Sequence, residues 1–362
     1  MNVGIVGTGQ LGWMMINEGR RLPHRYFVLG EPGGPASRVA DGAFAPEAYR
    51  RFVDKCDVVT PEFEHTDLRT LRYASRQGKL VPPMGALTLK LDRAQEKTFL
   101  RDRGFPLGEF HLARSPEEAR RLARNLGRAV VKASRGGYDG RGQYYLGGPR
   151  PSPEEKLPAG EFVVEEYIDF DAEASLLGSR DREGRKLFHT PSFNVNRAGI
   201  LLSNEAPCED LGMRRIVSRL LDELDYVGVL AVEFFLVGGR ALVNEFAPRV
   251  HNSGHHTLHG SSISQFEHHL RIATGLPVPA PVLFRPSGIV NAVGRELEGK
   301  LPAELLSLPE THTYSYGKAE VRRRRKMGHV NLTAPSRKVL RERTRRVVRI
   351  LYGKDPSRFF GA

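Results

Sequence analysis

Cysteine is almost missing from this chain: Cys56 and Cys208 are the only two in 362 residues, far apart and without cysteine neighbours. Their scarcity excludes a disulfide framework and a thiolate metal site, and buried thiols are the expectation. Long apolar runs are missing as well, since none reaches the roughly 18 consecutive residues of a membrane span. No basic, then apolar, export signal is expected either, because Met1–Val6 reads directly as a strand. The expectation is a cytoplasmic globular protein without a membrane partner. Internal repeats and low-complexity tails are also lacking. The 40% hydrophobic content is enough for a large core and two or three domains.

Acidic residues are in deficit, and the formal charge is +13. That excess is local. Lys318–Arg349 carries 13 Lys or Arg against 2 Asp or Glu, a net of +11. Within it, Leu340, Val347, Val348 and Leu351 recur at helical spacing, and Gly353 suits the position after a helix. The arginines between them read as a solvated helix face, and no nucleic-acid partner is expected.

The first ninety residues alternate strand and helix: Asn2–Val6, a helix from about Gln10, Tyr26–Leu29, Asp57–Thr60 and a helix after Asp67. This order argues for a parallel, Rossmann-like α/β sheet. Gly7-Thr8-Gly9-Gln10-Leu11-Gly12 fits G-x-G-x-x-G between strand and helix, and Glu31 ends the next strand, where it would suit a ribose hydroxyl. A nicotinamide-dependent oxidoreductase is therefore one reading. Close strand-to-helix packing selects the same glycines.

A helix over Thr88–Arg103 leads into a smaller unit. There, Ser115 as N-cap, Pro116 at the first position and Glu118 closing a capping box start another helix. After the strand Ala129–Ala133 come a glycine-rich turn, the strand Phe162–Tyr167, a hairpin from Ala174 to Phe193 and a helix over Asp210–Leu224. A second hairpin, Val229–Val237 and Ala241–Phe246, turns at Gly238-Gly239. Pro277, Pro279, Pro281 and Pro286 mark a linker into a final basic domain. The expected division is 1–91 for the N-terminal domain, 92–282 for a central domain with a mobile lid at about 104–168, and 283–362 for the C-terminal domain.

Gly136–Gln143 places four glycines in eight positions directly after a strand carrying Lys132. Such a loop can lay backbone amides against phosphate oxygens, with the lysine as counter-charge; a flexible hairpin loop is the alternative. Glu233 interrupts the apolar run Val229–Val237, and a buried carboxylate needs a reason. A three-residue turn of Gly238, Gly239 and Arg240 would set Glu233 across from Glu245, with Cβ atoms roughly 5 Å apart. Two like charges that close call for a cation, and Mg²⁺ shared with phosphate oxygens is the usual answer. A two-residue turn would bring Asn244 opposite Glu233 instead. Beyond the hairpin, Ala247–His256 is densely polar, and Arg249 and His251 look like anion and substrate contacts. Zinc is not expected at His251, His255, His256 and His259, because no thiolate or carboxylate completes a regular ligand spacing. Glu62 and Glu64 follow a strand's carboxyl end, where α/β sheets place ligands, although a solvated loop would look the same.

Together, Gly137–Gln143, Asn244-Glu245, Ala247–His255, Ser264–Glu267 and Arg325–Thr333 closely resemble the N5-carboxyaminoimidazole ribonucleotide synthetases of purine biosynthesis, over nearly the whole chain. The resemblance implies an ATP-grasp fold, α/β and α+β, with an N-terminal parallel domain and a small C-terminal one. It implies a ligase that uses ATP and bicarbonate to carboxylate 5-aminoimidazole ribonucleotide through carboxyphosphate, releasing ADP and phosphate. Another ATP-grasp carboxylate-amine ligase is the alternative within the class.

By the family pattern, ATP falls to Arg93, Lys132, the loop Gly137, Tyr138, Asp139, Gly140, Arg141, Gly142 and Gln143, the hinge Glu165, Glu166, Tyr167 and Ile168, and Glu173, Asn196, Asn244 and Glu245. Glu233 and Glu245 would hold Mg²⁺, as two ions. Tyr138, Arg141, Arg249, His251, Lys326 and Glu64 would hold bicarbonate and the nucleotide, with Arg325 beside Lys326 on a ribose phosphate. A homodimer is also implied. Asn196 stands where relatives commonly carry histidine, Trp13 where arginine is frequent, and Arg322–Arg325 is more basic than the usual pattern.

Overall fold

The computed structural model describes residues 1–137, 140–147, 157–295, 297, 303–318, 320–356 and 359. Among them the strands form three sheets. Asn2–Val6 (β1), Arg25–Leu29 (β2), Gly42–Phe44 (β3) and Val58–Pro61 (β4) make a parallel sheet in the order β3-β2-β1-β4. The strands are apolar on both faces because helices cover both, and Val3, Ile5, Val28 and Val59 are fully buried. All four strands end on the same edge, and the segment after β4 emerges there. Strand β3 was not foreseen; with three residues it carries too little pattern to stand out from a loop.

The second sheet is antiparallel: Phe110–Ala113 (β5), Ala129–Ala133 (β6), Gln143–Leu146 (β7) and Phe162–Glu166 (β8), in the order β5-β8-β6-β7. One face is covered by the helix Pro116–Leu126. Ser115 caps that helix by accepting from the Glu118 amide at 3.2 Å, and Glu118 reaches back to the Arg114 amide at 2.9 Å.

The third sheet has nine strands. Ala172–Arg180 (β9), Lys186–Phe188 (β10), Ser192–Arg197 (β11), Ile200–Ala206 (β12), Gly228–Val237 (β13), Arg240–Ala247 (β14), Ser287–Val293 (β15), Thr311–Ser315 (β16) and Lys326–Thr333 (β17) run in the order β14-β13-β9-β11-β12-β15-β17-β16, with β10 beside β9. Because β15 pairs with β12, this sheet continues across the proline-rich segment into the C-terminal part. The helix Met213–Glu223 packs Met213, Val217, Leu220 and Leu221 into the core under β9 and β13. The basic helix Arg337–Tyr352 buries Leu340, Val347 and Leu351 against β15 and β17, each worth about 2 kcal/mol. Its outer arginines meet acids: Arg341 pairs with Glu205 at 3.2 Å and Arg343 with Glu310. Cys56 and Cys208 are free and buried, and burial pushes both thiols up to about 12.

The single helix expected over Thr88–Arg103 is two, Met84–Lys90 and Arg93–Asp102. Asp92 divides them by accepting from the Ala94 amide at 3.0 Å, a cap that competes with continuing the helix. The break points Lys90 and Arg93 into the space between the second and third sheets.

Candidate active site

That space is a cavity of about 360 Å³ lined from the second and third sheets and, beside the first, by Gln10, Leu11 and the segment 63–65. Its floor is the β13–β14 hairpin. The turn is Gly238-Gly239, with φ of +53° and +75°, a two-residue turn that only glycine-like residues adopt readily. Of the two turns considered above, the structure has the two-residue one, but not the Asn244–Glu233 pairing expected with it. Val237 faces Arg240 and Phe234 faces Val243, until a bulge at Asn244 shifts the register and sets Glu233 opposite Glu245. The pair forms because the bulge supplies the extra residue that the turn does not.

The two carboxylates differ in environment. Burial, then the charges of Glu245 and Glu173, push the Glu233 carboxyl up to about 8. For Glu245 burial works in the same direction. The Lys90 ammonium, then Arg93, outweighs it and holds that carboxyl well below the usual range. Lys90 Nζ lies 2.6 Å from Glu245 and 3.0 Å from Glu96, and Glu96 also accepts from the Phe246 amide at 2.9 Å. Among the described residues no cluster of three His, Cys, Asp or Glu could hold a metal. Glu233 and Glu245 thus stand as a pair of facing carboxylates without a third such ligand among the described residues.

The opposite wall belongs to the second sheet. Lys132 on β6 donates to Glu165 at 3.0 Å and to the bulged Asn244 at 3.3 Å, and Lys97 lies 3.3 Å from the same Glu165. Arg93 donates to the carbonyls of Ala133 at 2.8 Å and Gly137 at 2.7 Å, and so anchors the start of the glycine loop. A Cβ on Gly137 would meet Arg93 at 2.2 Å. Gly140, with φ of +73°, packs on the β11–β12 turn, where a Cβ would lie 2.4 Å from the Ala198 carbonyl. Arg324 donates to that same carbonyl at 2.9 Å. Glu166, Tyr167 and Ile168 follow along the edge, and Glu173 accepts from Asn196 at 2.5 Å.

On the third side Arg249 donates through Nε to Glu64, and both are buried. Burial alone would raise the Glu64 carboxyl; Arg249 reverses this and lowers it. Burial, then Arg249 and Lys326, lowers His251 to about 3, leaving a neutral imidazole 3.7 Å from Glu233. Lys326, at the start of β17, completes this wall.

The structure thus brings Arg93, Lys132, Gly137, Gly140, Gln143, Glu165–Ile168, Glu173, Asn196, Glu233, Asn244, Glu245, Glu64, Arg249, His251 and Lys326 to one cavity. Arg141 and Gly142 flank it without lining it, and Arg325 bonds to the Glu320 carbonyl instead. Tyr138 and Asp139 lie outside the described residues. Trp13 packs edge-on against Tyr314 and Tyr316, away from the cavity walls. Lys90, Glu96 and Lys97 were missed by sequence reasoning. The available signal was Asp92 as a cap, which would have ended the first helix early enough to turn Lys90 inward.

The other glycine-rich turn is filled from within. Glu62 accepts from the amides of Gly9 and Gly12, the positions a dinucleotide phosphate would take, and Glu31 is exposed.

Residues 1–90 match the family model described as a ribonucleotide synthetase preATP-grasp domain, residues 98–266 the ATP-grasp domain, and residues 287–343 the phosphoribosylaminoimidazole carboxylase C-terminal domain. The chain is 43% identical over 356 residues to an N5-carboxyaminoimidazole ribonucleotide synthase of Saccharolobus solfataricus, covering 97% of this chain and 96% of the relative. A solved structure of the phosphoribosylaminoimidazole carboxylase ATPase subunit from Aquifex aeolicus is similar with a TM-score of 0.85 and 41% identity, covering 97% of this chain and 100% of that one. N5-carboxyaminoimidazole synthase of Aspergillus clavatus, in complex with ADP and 5-aminoimidazole ribonucleotide, is similar with a TM-score of 0.84 and 27% identity, covering 97% and 98%.

Proposed function

We propose a mechanism from one premise: the chain belongs to the N5-carboxyaminoimidazole ribonucleotide synthase family and has the ATP-grasp fold. It is an ATP-dependent ligase of purine biosynthesis that forms a carbon–nitrogen bond on 5-aminoimidazole ribonucleotide, and the oxidoreductase reading falls away. The observation that carries the mechanism is the pairing of Glu233 with Glu245 across a bulged hairpin, facing Lys132 and the glycine loop.

In this reading ATP lies between the second and third sheets. The hinge Glu165–Ile168 borders the base, while Arg93, Lys132 and the glycine-loop amides from Gly137 to Gln143 meet the phosphates; Tyr138, Asp139, Arg141 and Gly142 belong to that loop. Glu173 and Asn196 form the edge beside the ribose. Glu233 and Glu245, with Asn244 beside Glu245, would hold Mg²⁺, which would supply the positive charge that phosphoryl transfer needs at the phosphate oxygens. The chain's own contribution is position and charge. Lys90 keeps Glu245 ionised, and burial by the second sheet excludes water from the reacting phosphate.

A bicarbonate oxygen attacks the γ-phosphorus and ADP leaves, giving carboxyphosphate. The ribonucleotide amine then attacks the carboxyl carbon, inorganic phosphate departs, and the amine proton leaves with it. Arg249, held by Glu64, faces the carboxylate being transferred, neutral His251 offers it a hydrogen bond, and Lys326 meets the nucleotide phosphate. We also propose the division at 1–91, 92–282 and 283–362, a homodimer and a cytoplasmic location. No described helix is long and apolar enough to cross a membrane.

Phosphate release measured with each substrate omitted in turn tests the scheme. Full release requires ATP, bicarbonate and the ribonucleotide together. Release that proceeds equally without the ribonucleotide would overturn it.

A further inference from the structure

Glu62 has no part in the scheme above, yet the first glycine-rich turn is built around it. It follows β4 at the carboxyl edge of the parallel sheet, and its amide donates to the Val6 carbonyl at 3.1 Å. One carboxylate oxygen accepts from the Gly9 amide and the other from the Gly12 amide at 2.8 Å. A Cβ on Gly7 would come within 2.4 Å of Glu62 Cγ, and one on Gly9 within 2.7 Å of its Oε1. Gly9 has φ of −84°, which any residue adopts, so its missing side chain answers to Glu62 rather than to the backbone.

Two residues further on stands Glu64, buried and bonded to Arg249. Phe63, between them, lies under the Arg249 guanidinium at 5.3 Å. The segment that grips Arg249 is thus pinned at one end by a carboxylate on two helix amides. This is the arrangement by which an outer residue orients a group that touches substrate.

We propose that Glu62 is a positioning residue for the ribonucleotide side of the site: seated on the Gly9 and Gly12 amides, it holds the segment carrying Glu64 and thereby aims Arg249. The inference rests on the function proposed above. It also assigns the glycine motif a role that needs no bound nucleotide, because the chain supplies its own hydrogen-bond acceptor.

The test compares Glu62→Ala, Glu62→Gln, Gly9→Ala and the Gly9→Ala/Glu62→Ala double variant. Each is assayed for KM toward 5-aminoimidazole ribonucleotide and toward ATP. Glu62→Ala raises the ribonucleotide KM about tenfold, as loss of an orienting partner does, and leaves the ATP KM within about twofold. Glu62→Gln, which keeps one acceptor, falls between. Gly9→Ala reproduces the Glu62→Ala effect because its methyl displaces the carboxylate. The double variant is no worse than Glu62→Ala alone, since the methyl occupies vacated space.

An unchanged ribonucleotide KM in Glu62→Ala and Gly9→Ala, equal rises in both KM values, or additive losses in the double variant would each overturn the inference. Should Glu62→Ala fail to fold, Glu62→Gln and Gly9→Ala carry the same readout. Wild-type protein without ribonucleotide-dependent phosphate release overturns the proposed function and this inference together. Active wild-type protein with unmoved KM values overturns this inference alone.

Discussion

The turn Gly7–Gly12 and the loop Gly136–Gln143 look alike on paper, since each follows an apolar strand and spaces its glycines so that amides are bare. In the folded chain they are opposites. The first is closed by Glu62, whose carboxylate takes the amides of Gly9 and Gly12. The second opens on the cavity beside Lys132 and the Glu233–Glu245 pair. A glycine-rich turn therefore signals close backbone approach, and the nearest acid or base decides whether that approach serves a ligand or the protein itself.

Three experiments sharpen or break this contrast. The largest effect belongs to Glu245→Gln, which keeps shape while removing the charge beside the open loop. Turnover falls about 10³-fold, the roughly 4 kcal/mol that a preorganised charge contributes to a transferring phosphoryl group, and the melting temperature stays within a few degrees. Phosphate release and circular dichroism check it, and wild-type turnover would remove the metal assignment.

Gly140→Ala comes next. Its methyl would meet the Ala198 carbonyl at 2.4 Å in a left-handed backbone, a strain of about 1–2 kcal/mol before the clash. The ATP KM rises about tenfold while the ribonucleotide KM holds. If the two values shift in parallel, the loop does not belong to ATP alone. The smallest effect is none: fluorescence titration of the wild type with a nicotinamide dinucleotide shows no saturable change. Binding at Gly7–Gly12 would mean that Glu62 does not keep that turn filled.

Much of the architecture was readable because it is local. Short apolar runs placed the parallel strands and helical spacing placed the C-terminal helix, and Ser115 and Gly353 marked ends that the structure keeps. The helix break at Asp92 was also local, marked by one capping residue inside a stretch otherwise compatible with a single helix. At the site, the resemblance named residues that the structure gathers at one cavity, while the Glu233–Glu245 pair, expected from a three-residue turn, arises from a two-residue turn with a bulge. A bulge cannot be read from one strand, because it depends on partners such as Lys132, whose ammonium the displaced Asn244 meets. Lys90, Glu96 and Lys97 each look like an ordinary helix charge until the sheets bury them.

The sequence by itself determined the alternation of strands and helices, the caps and turns, and the presence of an acid inside an apolar hairpin, because each depends on neighbours a few residues away. Only the tertiary structure decided which charges lose water together. Lys90 and Glu245 stand 155 residues apart, and Glu62 and Gly12 stand 50 apart. Electrostatic energy inside a protein depends on distance and burial rather than on separation along the chain, so neither pairing exists until the sheets close around it.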